Sequence, residues 1–131
     1  MIRIIIAGGR TFNDYYLLTK SFKELLSELR EDNTFEKKDV EIISGTANGA
    51  DKLGEVLAKR VGLKTVRFPA NWDKFGKSAG YIRNKEMAVY AKEDGSIGVL
   101  LSFWDGESKG TKHMIDLANS NGLKVKTVIY G

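Results

Sequence analysis

Residues 1–14 read MIRIIIAGGRTFND. Ile2 to Ala7 is a nearly unbroken apolar run, the pattern of a strand covered on both faces. Gly8-Gly9 follows, a pair that lets the backbone turn tightly and come close to a ligand. Asn13 or Asp14 then stands where a helix cap is needed. Beyond it, Leu18, Phe22, Leu25, Leu26 and Leu29 keep to one helical face. A buried strand, a glycine turn and an amphipathic helix in this order make half of a βαβ unit.

The same alternation runs through the rest of the chain. Strands are expected at Ile2–Ala7, Val40–Ser44, Lys64–Phe68, Ile97–Ser102 and Val125–Tyr130, the last alternating as an edge strand does. Ala50, Leu53, Leu57 and Val61 mark a second helix, stopped by Gly62. Residues 79–91 read as a third, less amphipathic helix. Thr111, Met114, Ile115 and Ala118 mark a fourth, ending near Asn121-Gly122. Right-handed crossovers then give one α/β domain over residues 1–131: a Rossmann-like, open, mainly parallel five-stranded sheet with helices on both faces.

Composition narrows the chemistry. The chain has 131 residues, no cysteine and one histidine, His113. Disulfides, thiolate metal sites and cysteine nucleophiles are excluded, and so is any mechanism needing two histidines. No metal site and no cofactor is expected. No apolar stretch approaches the roughly 20 residues of a membrane span, and Met1–Ala7 lacks the form of a signal peptide. The expected compartment is the cytoplasm. Net charge is +4, unevenly spread. Residues 59–85 hold eight bases (Lys59, Arg60, Lys64, Arg67, Lys74, Lys77, Arg83 and Lys85) against one acid, Asp73. Such a run suits an anionic partner or, equally, solvated helix surfaces.

In a doubly wound sheet, ligands bind beyond the carboxyl ends of the strands. After the first strand, Gly8-Gly9-Arg10 offers close backbone approach and a fork of guanidinium donors. It is not the G-x-G-x-x-G dinucleotide fingerprint, and the glycines alone would also serve turn geometry. After the second, Ser44-Gly45-Thr46-Ala47-Asn48-Gly49-Ala50-Asp51 reads as an anion nest at a helix start, without the lysine of a Walker A loop. Asp51 has two readings: a carboxylate favoured by the helix dipole, or an acceptor for a ribose hydroxyl. The long third connection carries Trp72, Phe75 and Tyr81, aromatics for stacking on a base or for packing on their own domain, Phe75 fitting the second role better. Arg83-Asn84 adds donors near a helix start. After the fourth strand, Lys109 contributes a point charge and Gly110-Thr111 a second nest, while His113 is expected to face solvent. Together these residues suit a phosphorylated or nucleotide-like anion.

The same residues match a family. Gly8-Gly9-Arg10, Ser44-Gly45-x-x-x-Gly49-Ala50-Asp51, Ala79-Gly80-x-x-Arg83-Asn84-x-x-Met87, and Gly110-Thr111 with Met114 resemble the YspA/YpsA-related branch of the SLOG superfamily. That superfamily joins Smf/DprA DNA-processing proteins and Lonely-guy nucleotide phosphoribohydrolases. The resemblance covers nearly the whole chain. It implies a Rossmann-like domain, a site for a nucleotide or nucleotide-derived ligand, and a homodimer. Lonely-guy enzymes carry Pro-Gly-Gly-x-Gly-Thr-x-x-Glu at the fourth junction; here Glu107 and Ser108 replace two glycines, and Met114 replaces the glutamate. A methionine cannot ionise or take a proton, which argues against that family's N-glycosidic cleavage.

Three functions stay open on this footing. The first is binding or sensing of a nucleotide-derived ligand. The second is hydrolysis of such a ligand at a glycosidic or phosphoryl bond. The third, through the basic middle, is binding of single-stranded nucleic acid, which predicts steep salt dependence.

Overall fold

A computed structural model describes residues 1–131. The elements run β1 (Ile2–Gly8), α1 (Tyr15–Asp32), β2 (Val40–Ser44), α2 (Ala50–Val61), β3 (Lys64–Arg67), the short α3 (Trp72–Phe75), α4 (Ala79–Lys92), β4 (Ile97–Trp104), α5 (Lys109–Ser120) and β5 (Lys124–Ile129). The five strands form one sheet in the order β3-β2-β1-β4-β5, and every pairing is parallel. The expected strands are all present, and β1 and β4 run further than the apolar pattern suggests. Their longer register, Ile2 opposite Ile97 through Gly8 opposite Phe103, carries both strands out to the glycine junctions.

Helix boundaries follow local chemistry. Asp14, not Asn13, caps α1, its carboxylate accepting from the Leu17 amide at 3.0 Å. Gly62 ends α2 in the left-handed conformation. The third connection is not an irregular loop: Asn71 accepts from the Lys74 amide and starts the single turn of α3. Four residues are too few to show a periodicity, so the composition of this stretch did not reveal the turn.

Two apolar layers sandwich the sheet. On one face Ile4, Ile6, Ile42, Leu101 and Phe103 pack with Leu18, Phe22 and Leu25 of α1 and Leu57 and Ala58 of α2. On the other, Ile5, Ala7, Ile43 and Leu100 pack with Met87, Ala88 and Ala91 of α4 and Met114 and Ala118 of α5. Each fully buried Ile or Leu contributes roughly 1.5–3 kcal/mol of transfer free energy. The weak amphipathic pattern of α4 has a simple cause: its buried positions are alanines, Met87 and the polar Asn84. No helix is long and apolar enough to cross a membrane.

The strand order reverses between β1 and β4. Chain from β1 passes outward to β2 and β3, returns through α4 to β4, and continues to β5 on the other side. Helices therefore diverge above the carboxyl ends of β1 and β4, leaving a crevice there.

Candidate functional site

A cleft of about 440 Å³ opens at that crevice. Ala7, Gly8, Gly9, Arg10 and Thr11 line it from the first junction, Met87 and Met114 add apolar lining, and Asp105, Ser108, Gly110 and Thr111 line it from the fourth. Ala47 and Asp51 enter from the second junction, and Trp72, Lys77, Gly80, Tyr81, Arg83 and Asn84 from the third. Trp72 and Tyr81 are 50% and 46% exposed, two aromatic rings on the cleft wall that keep much of their surface in solvent.

All four junctions thus meet in one place, and nine of the thirteen expected residues line it: Gly8, Gly9, Arg10, Asp51, Trp72, Arg83, Asn84, Gly110 and Thr111. Ser44, Gly45, Gly49 and Lys109 do not, and three of them build the wall from behind. The Ser44 hydroxyl donates to Glu55 Oε2 at 2.6 Å and accepts from the Thr46 amide at 3.0 Å. The Gly45 carbonyl accepts from Arg83 Nη1. Gly49 takes φ 82°, and a Cβ there would meet the Gly9 carbonyl oxygen at 2.2 Å. Lys109 is exposed and lies outside the cleft, and Lys77 supplies the lysine instead. Lys77 was legible only as one of eight bases in a run; its place depends on how the third connection folds over the sheet.

The nest at the second junction is already occupied by the protein. The Ala50 amide donates to the Gly9 carbonyl at 3.3 Å, and the Ala47 amide to Asp51 Oδ2 at 3.3 Å. Asp51 is 4% exposed. Burial pushes its carboxyl up to about 6, against the opposing pull of Arg83 and of the Ala47 and Gly8 amides. Asp51 thus accepts from the backbone of its own loop and still lines the cleft.

Arg83 is held from within α4. Its Nε donates to Asn84 Oδ1 at 3.0 Å. Burial lowers its pKa first, and the neighbouring Arg10 charge lowers it further, while Asp51 opposes both. No carboxylate lies within 4.0 Å of Arg10, Lys77 or Arg83; the ion pairs of the fold are elsewhere. At the fourth junction, Asp105 accepts from the Ser108 and Glu107 amides at 2.8 and 2.9 Å, which hold its carboxyl below the usual range. Ser108 caps α5 by accepting from the Thr111 amide and hydroxyl. Thr111 is therefore a buried support of this wall.

His113 departs from the expectation of a solvent-facing residue. α5 begins at Lys109, earlier than its apolar stripe, so His113 lies a full turn inside it. There the ring packs edge-on against Tyr81, with centroids 4.5 Å apart, and its Nδ1 stands 3.2 Å from Asn84 Nδ2. Met114 is buried below the cleft, where no carboxylate replaces it. The basic run is divided as well. Lys77 and Arg83 face the cleft, Lys64 and Arg67 pair with Glu41 and Glu55, and Arg60 lies over the Tyr15 ring. No group of three metal-ligating acids and histidines comes together.

Comparison with known proteins identifies the family. The sequence model of the YspA, cpYpsA-related SLOG family matches residues 2–75, a stretch that contains the first two junctions and reaches α3. The chain belongs to that SLOG family. It is also similar to the Gene 61 protein of Mycobacterium phage D29, with 32% identity over 132 residues, covering 95% of this chain and 94% of the phage protein. No solved structure matches significantly. Membership in the SLOG family agrees with the Rossmann-like sheet and suggests a nucleotide-related function.

Proposed function

We propose that this SLOG domain binds a nucleotide or nucleotide-derived anion in the cleft above β1 and β4. One observation carries the reading: Arg10, Lys77 and Arg83 line the same cleft and none has a carboxylate within 4.0 Å. Cations that share a cleft without a paired carboxylate repel one another, as Arg10 and Arg83 do, and an anion relieves that cost. On this reading Arg10 and Arg83 hold phosphate through their planar forks, with Lys77 as a point charge. Trp72 and Tyr81 receive a base by stacking. The Asp51 carboxylate accepts from a sugar hydroxyl and repels phosphate from the innermost part of the cleft. Native mass spectrometry of the purified protein tests this through a co-purified ligand and also reports whether the chain is the expected homodimer. Calorimetric titration with a panel of nucleotides tests it directly: binding of none of them overturns the reading.

A hydrolase is the second reading, favoured by Asp51 alone. A cleft carboxyl with its pKa near 6 is suited to exchange a proton with a bound ligand near neutral pH. Release of base or phosphate from the same panel, lost in Asp51→Asn, would support it over simple binding.

A further inference from the structure

His113 takes no part in the proposed ligand contacts, yet it terminates a chain of hydrogen bonds that reaches them. Arg83 Nε donates to Asn84 Oδ1 at 3.0 Å, and Arg83 Nη1 donates to the Gly45 carbonyl. The other end of the Asn84 amide, Nδ2, stands 3.2 Å from His113 Nδ1 and donates to the Gly110 carbonyl at 3.5 Å. Asn84 is buried. The amide orientation is set from both sides, because a guanidinium can only donate and a backbone carbonyl can only accept. Nδ2 therefore faces the imidazole, and His113 Nδ1 must be the acceptor. That requires the tautomer with its proton on Nε2.

A proton on Nδ1 makes the contact donor against donor. Turning the amide over does not repair it, since Oδ1 would then oppose the Gly110 carbonyl and Nδ2 would oppose Arg83 Nε. Either the ring leaves Asn84 and disturbs Tyr81, or the amide turns and frees Arg83. We infer that neutral His113 is a positioning residue for the cleft, holding Asn84 and through it Arg83, and that its protonation loosens the Arg83 wall and weakens anion binding. This rests on the reading of the cleft as an anion site. Burial, opposed by Asp116, lowers the His113 pKa from 6.5, so the acceptor form prevails at neutral pH.

The charged groups around the ring are few. On α5, Asp116 pairs with Lys112, and Lys109 lies one turn earlier. From α4 come Tyr81, Asn84 and, behind it, Arg83. Asp51, beyond Arg83, acts on binding in the opposite sense: as pH falls it loses a negative charge beside Arg83, which strengthens anion binding. A pH profile on the unaltered protein alone would mix the two effects, so variants at His113 are needed.

Sulfate is the probe, because its charge is constant over the range used. Its affinity would be measured by NMR titration between about pH 7.5 and 5 for the unaltered protein, His113→Gln and His113→Phe. Glutamine offers an acceptor oxygen that cannot be protonated, and phenylalanine keeps the packing on Tyr81 without an acceptor. At neutral pH the unaltered protein and His113→Gln should bind alike, and His113→Phe at least about threefold more weakly, part of the effect of one charge-assisted hydrogen bond. On acidification the unaltered protein should weaken relative to His113→Gln by a similar factor. One shared profile for these two would overturn the inference, as would unreduced affinity in His113→Phe. A ligand-free arm keeps the two readings apart. The Asn84 side-chain amide and Arg83 Nε–H signals should move with the His113 ring titration. Signals that stay still overturn the inference, whereas signals that move in a protein taking no sulfate support the relay and overturn only the anion reading.

Discussion

At the scale of single residues, the cleft separates groups that hold the fold from groups left free. Arg10 is exposed and has no internal ion-pair or hydrogen-bond partner, so Arg10→Ala should weaken nucleotide binding by about 1.5–3 kcal/mol with little change in melting temperature. Arg83→Ala should weaken binding similarly and also cost stability, because it strips a donor from the Gly45 carbonyl and from Asn84. Titration calorimetry beside thermal melts separates the two; equal affinity for both variants and the unaltered protein would remove the arginines from the site. Asp51 gives a prediction in pH. Its native pKa, about 6, lies above the unfolded value of 3.8, so the native state holds the proton more tightly. The penalty is absent below the lower value, grows as pH rises between the two, and is complete above the upper. Asp51→Asn should therefore stabilise the protein by at most about 3 kcal/mol above pH 7, and by nearly nothing at about pH 3. Denaturant melts across this range check it, and a gain independent of pH would show that the carboxyl is not strained by burial.

At the scale of elements, two glycines at helix starts make contrasting demands. Gly49 precedes α2 with positive φ, and its Cα faces the Gly9 carbonyl so closely that a Cβ has no room. Gly49→Ala should cost more than about 2 kcal/mol and should push out the Gly9-Arg10 loop, weakening anion binding as well. Gly110 sits in the first turn of α5 with open space around it. Gly110→Ala should leave stability unchanged or raise it by up to about 1 kcal/mol. Thermal melts of the pair decide the point, and equal losses in both would mean that the α2 junction is not tightly packed against β1. The same elements show what could be read from local sequence. Asp14, Gly62 and the leucine stripe of α1 act within one or two turns, so their consequences are visible in the residues themselves. The turn of α3 and the early start of α5 rest on the Asn71 and Ser108 caps, which come before any apolar stripe begins.

At the scale of the whole molecule, the two-layer core bears on which chemistry the cleft can support. Met114 is buried among Met87, Ala118 and Leu123 in the layer beneath the cleft. With an apolar group at this position, Lonely-guy-type cleavage lacks its carboxylate, and general acid–base assistance worth 10²–10⁴-fold is missing. Incubation with nucleoside 5′-monophosphates followed by chromatography should show no free base. Release at roughly 1 s⁻¹ or faster that vanished in Asp51→Asn would show that another carboxylate had taken the role. Met114→Glu should not create the activity: an unpartnered carboxylate in that layer should cost several kcal/mol, roughly 3 or more, visible as a lowered melting temperature.

The alternation of buried strands and glycine-ended junctions, the Rossmann-like class and the family resemblance were all present in the order of residues. Periodicity and caps are short-range properties, and a parallel sheet follows from them with little freedom. Arg10, Arg83 and Asn84 could be named because such a sheet sends its junctions to one edge. Other features came into being only when distant segments met. The order β3-β2-β1-β4-β5 sets Gly8 beside Phe103 and so brings the first junction to the fourth. Burial of Asp51 depends on how β1 and Arg83 of α4 close over the second junction, and the presence of Lys77 in the cleft and the absence of Lys109 from it on how the third connection and α5 lie over the sheet. The pairing of Asn84 with His113 joins two helices, neither of which carries a local sign of the other. Solvent access and hydrogen-bond partners belong to the packed chain, so charge state and contact geometry were decided by the tertiary structure.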